Sequence, residues 1–497
     1  MKKVFIFFIT LLLLSSCSPD VGIDPLESQP SCTSALKVCN IGNPEDEILG
    51  VWIATVYNIN FPSAPDLDVD KLKEELNSIV DTVKSLGLNT VFFQAHPSAD
   101  ALYKSDLFPV SKFLSSSGEL YFDPLEYMVE ICHANGIKLH VWINPLRVTT
   151  ASSKSSEEAL NSLDSSLGAC TTPELLVYYD DGKLYYNAGL PEVQNLVTEC
   201  AEEIVTRYDI DGIVFDDYFY PYPVDNAIFD DNEAYKKYGN GSALDDWRRE
   251  NINTIIKNVY TKIKSLDSDC LFGVSPFGIW QNNNGSNGGS DTNGFESYTS
   301  IYCDSLSWAV NGYVDYLSPQ LYWSCENDSA SFEVLCEWWN VKLECTECDF
   351  IPSLAPYRYD NDWIDPEGEI TEQISLSRSK FSYKGLVYYG YESLKNNVNK
   401  VSDEVIESSS NKLLFYDISN QTIPLKITSH KNGCVVSSDS VLLYGYSDPD
   451  NSLYCNNDPV SRNKGGYFEI KLSLNKGENI FLFVNGDQIL NFMIYCS

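Results

Sequence analysis

The chain predicts an α/β fold: a (β/α)8 TIM barrel over residues 48–400, then a small all-β immunoglobulin-like sandwich over 415–497. Three observations carry this expectation. From residue 49 onward, eight short apolar runs each feed a helical pattern or a connection, the order of a parallel barrel. The runs end, on their C-terminal side, in polar or aromatic residues, and that rim holds the chemistry of such barrels. Past residue 415 the helical period gives way to two-residue alternation broken by Asp, Asn and Gly turns.

The elements follow in order. "MKKVFIFFITLLLLSSC" pairs a basic start with an apolar run, Val4 to Leu14, too short to span a bilayer comfortably. Leu14-Ser15-Ser16-Cys17 resembles the bacterial lipobox, so residues 1–16 read as a lipoprotein signal peptide and Cys17 as the lipidated mature N-terminus. Residues 17–47 read as a tether, and the protein is expected in the cell envelope, held to the membrane by its lipid anchor alone.

"GVWIATVYN" opens the barrel and precedes a helix from about Val69 to Leu86, with apolar positions 72, 76, 79, 80 and 83. "NTVFFQAH" leads to a helix across "DPLEYMVEICHANG", which Gly136 stops. "KLHVWINP" is followed by an insertion, 148 to 190, whose "VYYDDGKLYYN" signals a hairpin turning at Asp181-Gly182. A helix across "PEVQNLVTECAEEIVTRY" runs into "DGIVFDDY", and another, 245 to 266, into "LFGVSPF". "WQNNNGSNGG" reads as a mobile loop. "VDYLSPQLYW", "FIPSLAPY" and "GLVYYGY" supply the remaining strands, and 401–414 reads as a linker.

Charge narrows the partners. The chain carries 34 Lys plus Arg against 70 Asp plus Glu, a net −36, which repels phosphate backbones and makes nucleic acid an unsuitable ligand. A neutral or nearly neutral ligand suits it better, and 32 Tyr and 9 Trp offer flat faces that stack on sugar C–H groups. Of fifteen cysteines, fourteen remain beside Cys17, an even number that suggests disulfides in an exported protein. Cys32 with Cys39, two bridges among Cys325, Cys336, Cys345 and Cys348, and staples from Cys434, Cys455 and Cys496 are the expectations, with zinc at Cys345-x-x-Cys348 as an alternative. Cys132 and Cys200 read as plain buried thiols.

The chemistry concentrates in "YDIDGIVFDDYFYP". A buried strand that runs into Asp216 and Asp217 is costly unless the carboxyl groups are paired or work as acids. Neighbours on a regular strand face opposite ways, so both serve one site only if the strand ends between them. The alternative is that one Asp merely caps the following turn. Along the same rim stand the candidate substrate-binding residues Asn58, Gln94, His96, Asn144, Arg147, Tyr218, Ser275, Gln320, Tyr322, Trp323 and Tyr357. Glu392, read as ending the last strand, is the reserve second carboxylate, whereas Asp315, at a strand start, reads as structural. There is no zincin helix, no phosphate loop and no nucleophile elbow, so no cofactor or metal is expected. No particular partner protein is indicated.

"GVWIATVYNINFPS", "NTVFFQAHPSADALYKSDLFP", "DPLEYMVEICHANGIKLHVWINPLRV", "DGIVFDDYFYPYP", "FGVSPFGIW" and "VDYLSPQLYW" resemble, in order, the blocks of the glycosyl-hydrolase-like family 10. These are bacterial envelope proteins distinct from the family 10 xylanases, and the likeness spans roughly 48 to 395. It implies a barrel that hydrolyses glycans, in a family that includes enzymes acting on peptidoglycan stripped of peptides. His96 is a departure, since the family commonly has Arg before that Pro. Adjacent aspartates at this place also resemble those of β-N-acetylglucosaminidases that use the substrate's own acetamide as nucleophile, with one Asp orienting the amide and the next donating a proton. That resemblance implies Asp217 as acid and Asp216 as the orienting residue. A non-catalytic glycan-binding protein and a structural scaffold are the competing readings.

Overall fold

The computed structural model describes residues 47–497 apart from 226, 286, 361–362, 364–365, 411–424, 428, 431, 449–450 and 463–466. The signal peptide, Cys17, nearly all of the tether and the Cys32–Cys39 pair therefore lie outside the described residues.

Eight parallel strands form the core: β1 (Ile48–Ile53), β2 (Thr90–His96), β3 (Lys138–Ile143), β4 (Gly212–Phe215), β5 (Leu271–Val274), β6 (Tyr316–Leu317), β7, and β8 (Gly385–Tyr388). β7 comes in two pieces, Asp349–Phe350 and Ser353–Leu354, flanking Pro352, which has no N–H for the ladder. The first piece pairs with β6 and the second with β8, so the sheet begins and ends on one strand and the barrel closes. Trp52, Phe92, Trp142, Val214, Tyr316, Ile351 and Val387, drawn from seven of the strands, fill its interior.

A main helix follows each strand: α1 (Val69–Ser85), α2 (Pro124–Ala134), α3 (Pro191–Arg207), α4 (Leu244–Leu266), α5 (Ser305–Val310), α6 (Phe332–Leu343), α7 (Glu369–Arg378) and α8 (Val401–Ser410). Local chemistry sets their starts. Asp68 accepts from Lys71 N at 2.8 Å to cap α1, whose Leu72, Leu76, Ile79, Val80 and Val83 are buried at helical spacing. Asp123 caps α2 just ahead of Pro124, a residue suited to a first turn. The hairpin forms over Leu176–Tyr178 and Leu184–Tyr186, with Gly182 at φ +85° in its turn.

Three expectations need correction. Residues 401–410 are not linker: they form α8, with Val401 and Val405 fully buried, so the barrel extends ten residues further. β8 stops at Tyr388, and Glu392 lies beyond it in the first turn of a short helix, Tyr391–Lys395. The Asn/Gly-rich loop touches the barrel at Gly288, whose carbonyl accepts from Trp338 Nε1 (3.0 Å). Cys325 and Cys336 stand as separate thiols, as do Cys434, Cys455 and Cys496. Cys132 and Cys200 are buried thiols, the latter 3.6 Å from the Tyr103 hydroxyl. Asp315 is structural, joining Lys264 Nζ (2.8 Å) and Phe272 N (2.6 Å) at the base of β5.

The base of the barrel is riveted by Glu47. Its carboxylate takes two parallel bonds from Arg378 (2.8 and 2.9 Å) and one from Tyr383, while Arg378 Nη1 also donates to Ser408 O of α8. The C-terminal region is all β. A three-stranded sheet (Lys426–Ile427, Ser440–Tyr446, Tyr467–Ser473) and a five-stranded sheet (Cys434–Val436, Leu453–Cys455, Asp458–Pro459, Gly477–Asn485, Gln488–Cys496) share one core around Leu443, Phe468, Phe483 and Ile494. It meets the barrel where Tyr444 packs with Val341 and Phe381. Among the described residues, no helix is long and apolar enough to cross a membrane.

Candidate active site

β4 ends at Phe215, whose carbonyl receives Ser275 N at 2.7 Å. Val214 points into the barrel, so Asp216 continues the inward face, and Phe219 N turns back to Asp217 O (3.0 Å) immediately afterwards. The strand thus ends ahead of the pair, and both carboxyl groups are buried at the rim. The capping alternative describes part of the geometry, since Asp216 Oδ1 does accept from Tyr218 N (3.2 Å). It does not account for the rest.

Asp216 Oδ2 accepts from Trp142 Nε1 (2.9 Å) and from Asn144 Nδ2 (3.1 Å), two inward-facing residues of adjacent β3 and its end. Asp217 accepts from the Tyr222 hydroxyl, with the Gln320 amide as a second donor. Burial raises both carboxyl groups. Asp216 rises to about 7, with the Asp217 charge adding to burial and Arg147, Trp142 and Tyr218 N opposing it. Tyr222 and Gln320 hold Asp217 down against the same burial. The pair is therefore harder to ionise fully than two separate aspartates.

Aromatic side chains wall the pair. On one side Tyr322 and Tyr389 stack (5.9 Å, 16°) and Tyr357 stands edge-on to both. Tyr389 feels the charges of both aspartates. On the other side Tyr222 stacks on Phe295 (5.0 Å, 26°), and Phe277 bridges Phe295 and Trp323. The Arg147 guanidinium lies 5.0 Å from the ring centre of Tyr218, which is partly exposed.

The structure thus gathers Asn144, Arg147, Tyr218, Gln320, Tyr322, Trp323 and Tyr357 about the aspartates. Other candidates do framework work. Asn58 Nδ2 bonds Pro62 O and Phe113 O (2.8 Å each). Gln94 is fully buried, its Oε1 taken by Thr55 N and Val56 N (2.9 Å each). His96 is buried edge-on to Phe108 (4.4 Å), and burial lowers it to about 3, so it stays neutral and supplies no charge to the site. Ser275 is buried, and its carbonyl accepts from Gln320 Nε2 (3.2 Å). Glu392 bonds Asn396 within its own helix (3.4 Å).

Sequence reasoning missed Trp142, Tyr222, Tyr389, Phe277 and Phe295. Trp142 was findable, because it stands two residues before Asn144 and so shares its face. For metal, Cys325, Glu369 and Glu372 bring a sulfur and two carboxylates within 4.8 Å of one another. Glu369 Oε1 there already accepts from Cys325 N (2.8 Å) and Gln373 Nε2 (2.7 Å), as a hydrogen-bonded corner would.

A closed (β/α)8 barrel carrying a buried carboxyl pair between aromatic walls at its C-terminal rim has the architecture of a glycoside hydrolase. The chain belongs to the Glycosyl hydrolase-like 10 family, whose model matches residues 47–364. It is 35% identical over 368 residues to glycosyl hydrolase YngK of Bacillus subtilis, covering 72% of this chain and 71% of that one. It is 32% identical over 406 residues to glycosyl hydrolase DigH of Escherichia coli K12, covering 76% of this chain and 90% of that one. Among solved structures, the β-amylase catalytic domain of Paenibacillus polymyxa shares 11% identity at a TM-score of 0.48, covering 73% of this chain and 99% of that one. The family implies a carbohydrate substrate.

Proposed function

We propose that the protein is a glycoside hydrolase of the cell envelope that cleaves an N-acetylhexosamine-containing glycan, such as peptidoglycan strands without peptides, using Asp216 and Asp217. The observation that carries this is the unequal setting of the two carboxyl groups. Asp216 faces three N–H donors held in place by the fold, an arrangement that favours the carboxylate over the acid. Asp217 faces a hydroxyl, which can rotate to meet either protonation state. Burial and the neighbouring Asp217 charge favour the proton on Asp216, whereas the fixed donors favour it on Asp217, and the proposed assignment follows the donors.

In this mechanism Asp217 gives its proton to the glycosidic oxygen as the bond to the anomeric carbon breaks. The acetamide oxygen of the same sugar closes onto that carbon, and Asp216 takes up the amide N–H and the positive charge. Asp217, now a carboxylate, removes a proton from the incoming water, which opens the ring and retains the configuration. Export and anchoring through Cys17 complete the proposal, supported by the basic, apolar and small-residue order of residues 1–17. The test of the activity is digestion of glycan strands by purified protein. Strands of unchanged length after prolonged incubation, with binding retained, would leave only the glycan-binding reading.

A further inference from the structure

We propose that Tyr57 forms an outer sugar-binding subsite on the catalytic rim, a platform for a second part of a long glycan away from the scissile bond. Tyr57 follows β1 and sits where the loops after β1, β2 and β3 meet. Its side chain is 58% exposed, an unusual setting for a ring held from so many sides. The hydroxyl donates to Thr150 O, and the ring stands edge-on to Phe113 at 5.7 Å and 63°. Its backbone is left-handed (φ 54°, ψ 21°), as is that of Asn58 (φ 56°), a conformation that non-glycine residues seldom adopt, still less in succession. Asn58 holds that turn in place through its two bonds to Pro62 O and Phe113 O. Strained backbone that its surroundings over-determine is characteristic of ligand clamps.

The chemistry of the ligand follows from what is left open. With the hydroxyl bonded to the protein, Tyr57 offers solvent a flat, uncharged face. That face suits the C–H side of a pyranose ring, whichever sugar of the strand presents it. The platform is also joined to the reacting pair. One seven-residue segment carries Asn144, bonded to Asp216 (3.1 Å), Arg147, beside Tyr218 (5.0 Å), and Thr150, bonded to Tyr57. A strand crossing Arg147 and Tyr218 would reach Tyr57 next, so the subsite favours long chains.

The identity of the ligand rests on the glycan-cleaving reading above; the existence of the platform does not. The test uses peptide-free glycan strands sorted by length and compares kcat/KM for strands of two and of eight or more sugars. Tyr57→Ala should lower the long-to-short ratio about tenfold, the loss of one well-placed aromatic contact. Tyr57→Leu, which still fills space against Phe113 but has no flat face, should lower it similarly, and it serves if the Ala variant does not fold. Tyr57→Phe should keep the ratio within about threefold of wild type. A ratio unchanged in folded Tyr57→Leu overturns the subsite. If the wild type cleaves no strand, the proposed activity has failed on its own. Co-sedimentation of long and short strands with wild type and Tyr57→Leu then decides the platform: weaker capture of long strands supports it, and equal capture overturns it.

Discussion

Trp142 lies in the interior of the barrel and donates its indole N–H to Oδ2 of Asp216 at 2.9 Å, so a core side chain also holds a reacting group. The same indole is edge-on to Trp52 at 5.1 Å, which fixes its direction. Replacing Trp142 with Phe removes a donor that favours the charged form of Asp216, so its pKa should climb beyond about 7. If Asp216 works as a carboxylate, the acidic limb of the pH–rate profile should move up by roughly one unit, the size of one lost hydrogen bond to a charge. A lower rate with an unmoved limb would mean that Trp142 only packs.

The two aspartates should separate kinetically. Asp217→Asn should lower turnover of natural glycans about 10²–10⁴-fold, and the loss should shrink for substrates with an acidic leaving group. Asp216→Asn should be as harmful whichever leaving group is used, because it acts on the charge that develops in the sugar. Steady-state rates on activated and natural glycosides distinguish the two, with folding followed by thermal melting. Wild-type rates in both folded variants would make the pair structural.

Stability should carry the same signature. Asp216 is raised from 3.8 to about 7 in the folded protein, so folding favours its protonated form. Stability from this group is fully present below about pH 4 and is lost as pH rises through about 7. Asp216→Asn cannot titrate, so its stability relative to wild type should improve between pH 4 and pH 8, by about 4 kcal/mol at most, and its melting temperature should follow. A constant difference across that range would contradict the shift.

Glu47→Gln should destabilise without touching chemistry. It leaves the buried Arg378 guanidinium with a neutral partner, and breaking such a pair costs about 3–5 kcal/mol. The melting temperature should fall by several degrees, with kcat/KM at low temperature unchanged.

A chain ending at residue 412 should keep turnover on short glycans, because the rim is built by barrel loops. One ending at residue 405 should melt lower, since it cuts α8 and deletes Ser408, whose carbonyl receives Arg378 Nη1 at 2.9 Å. Loss of turnover in a folded 412 truncation would show that the β region contributes to the site.

Most of the barrel was legible because its parallel strands are apolar throughout and its helices carry a buried stripe. The aspartate pair was legible because carboxyl groups rarely end a buried strand without cause. Which rim residues face the pair was less so. Asn58, Gln94 and His96 occupy the expected rim but serve backbone groups or packing, and one-dimensional spacing cannot tell an amide that binds a sugar from one that binds a loop. Tyr222 and Tyr389 were hidden among neighbouring tyrosines of "YFYPYP" and "VYYGY", where composition gives no direction. α8 reads as linker because its serine-rich sequence, "VSDEVIESSS", has few apolar positions, yet Val401, Ser402, Val405 and Ser408 are buried in its seat.

Glu47 ties the chain down at the foot of β1, while the aspartates stand at the opposite rim. A pull on the residues ahead of it would meet first the Arg378 pair and, through Arg378, the Ser408 carbonyl, at the end of the barrel away from the aspartates. A load applied at the foot would reach the reacting carboxyl groups only through the full length of the strands, so force on one end and chemistry at the other are kept apart.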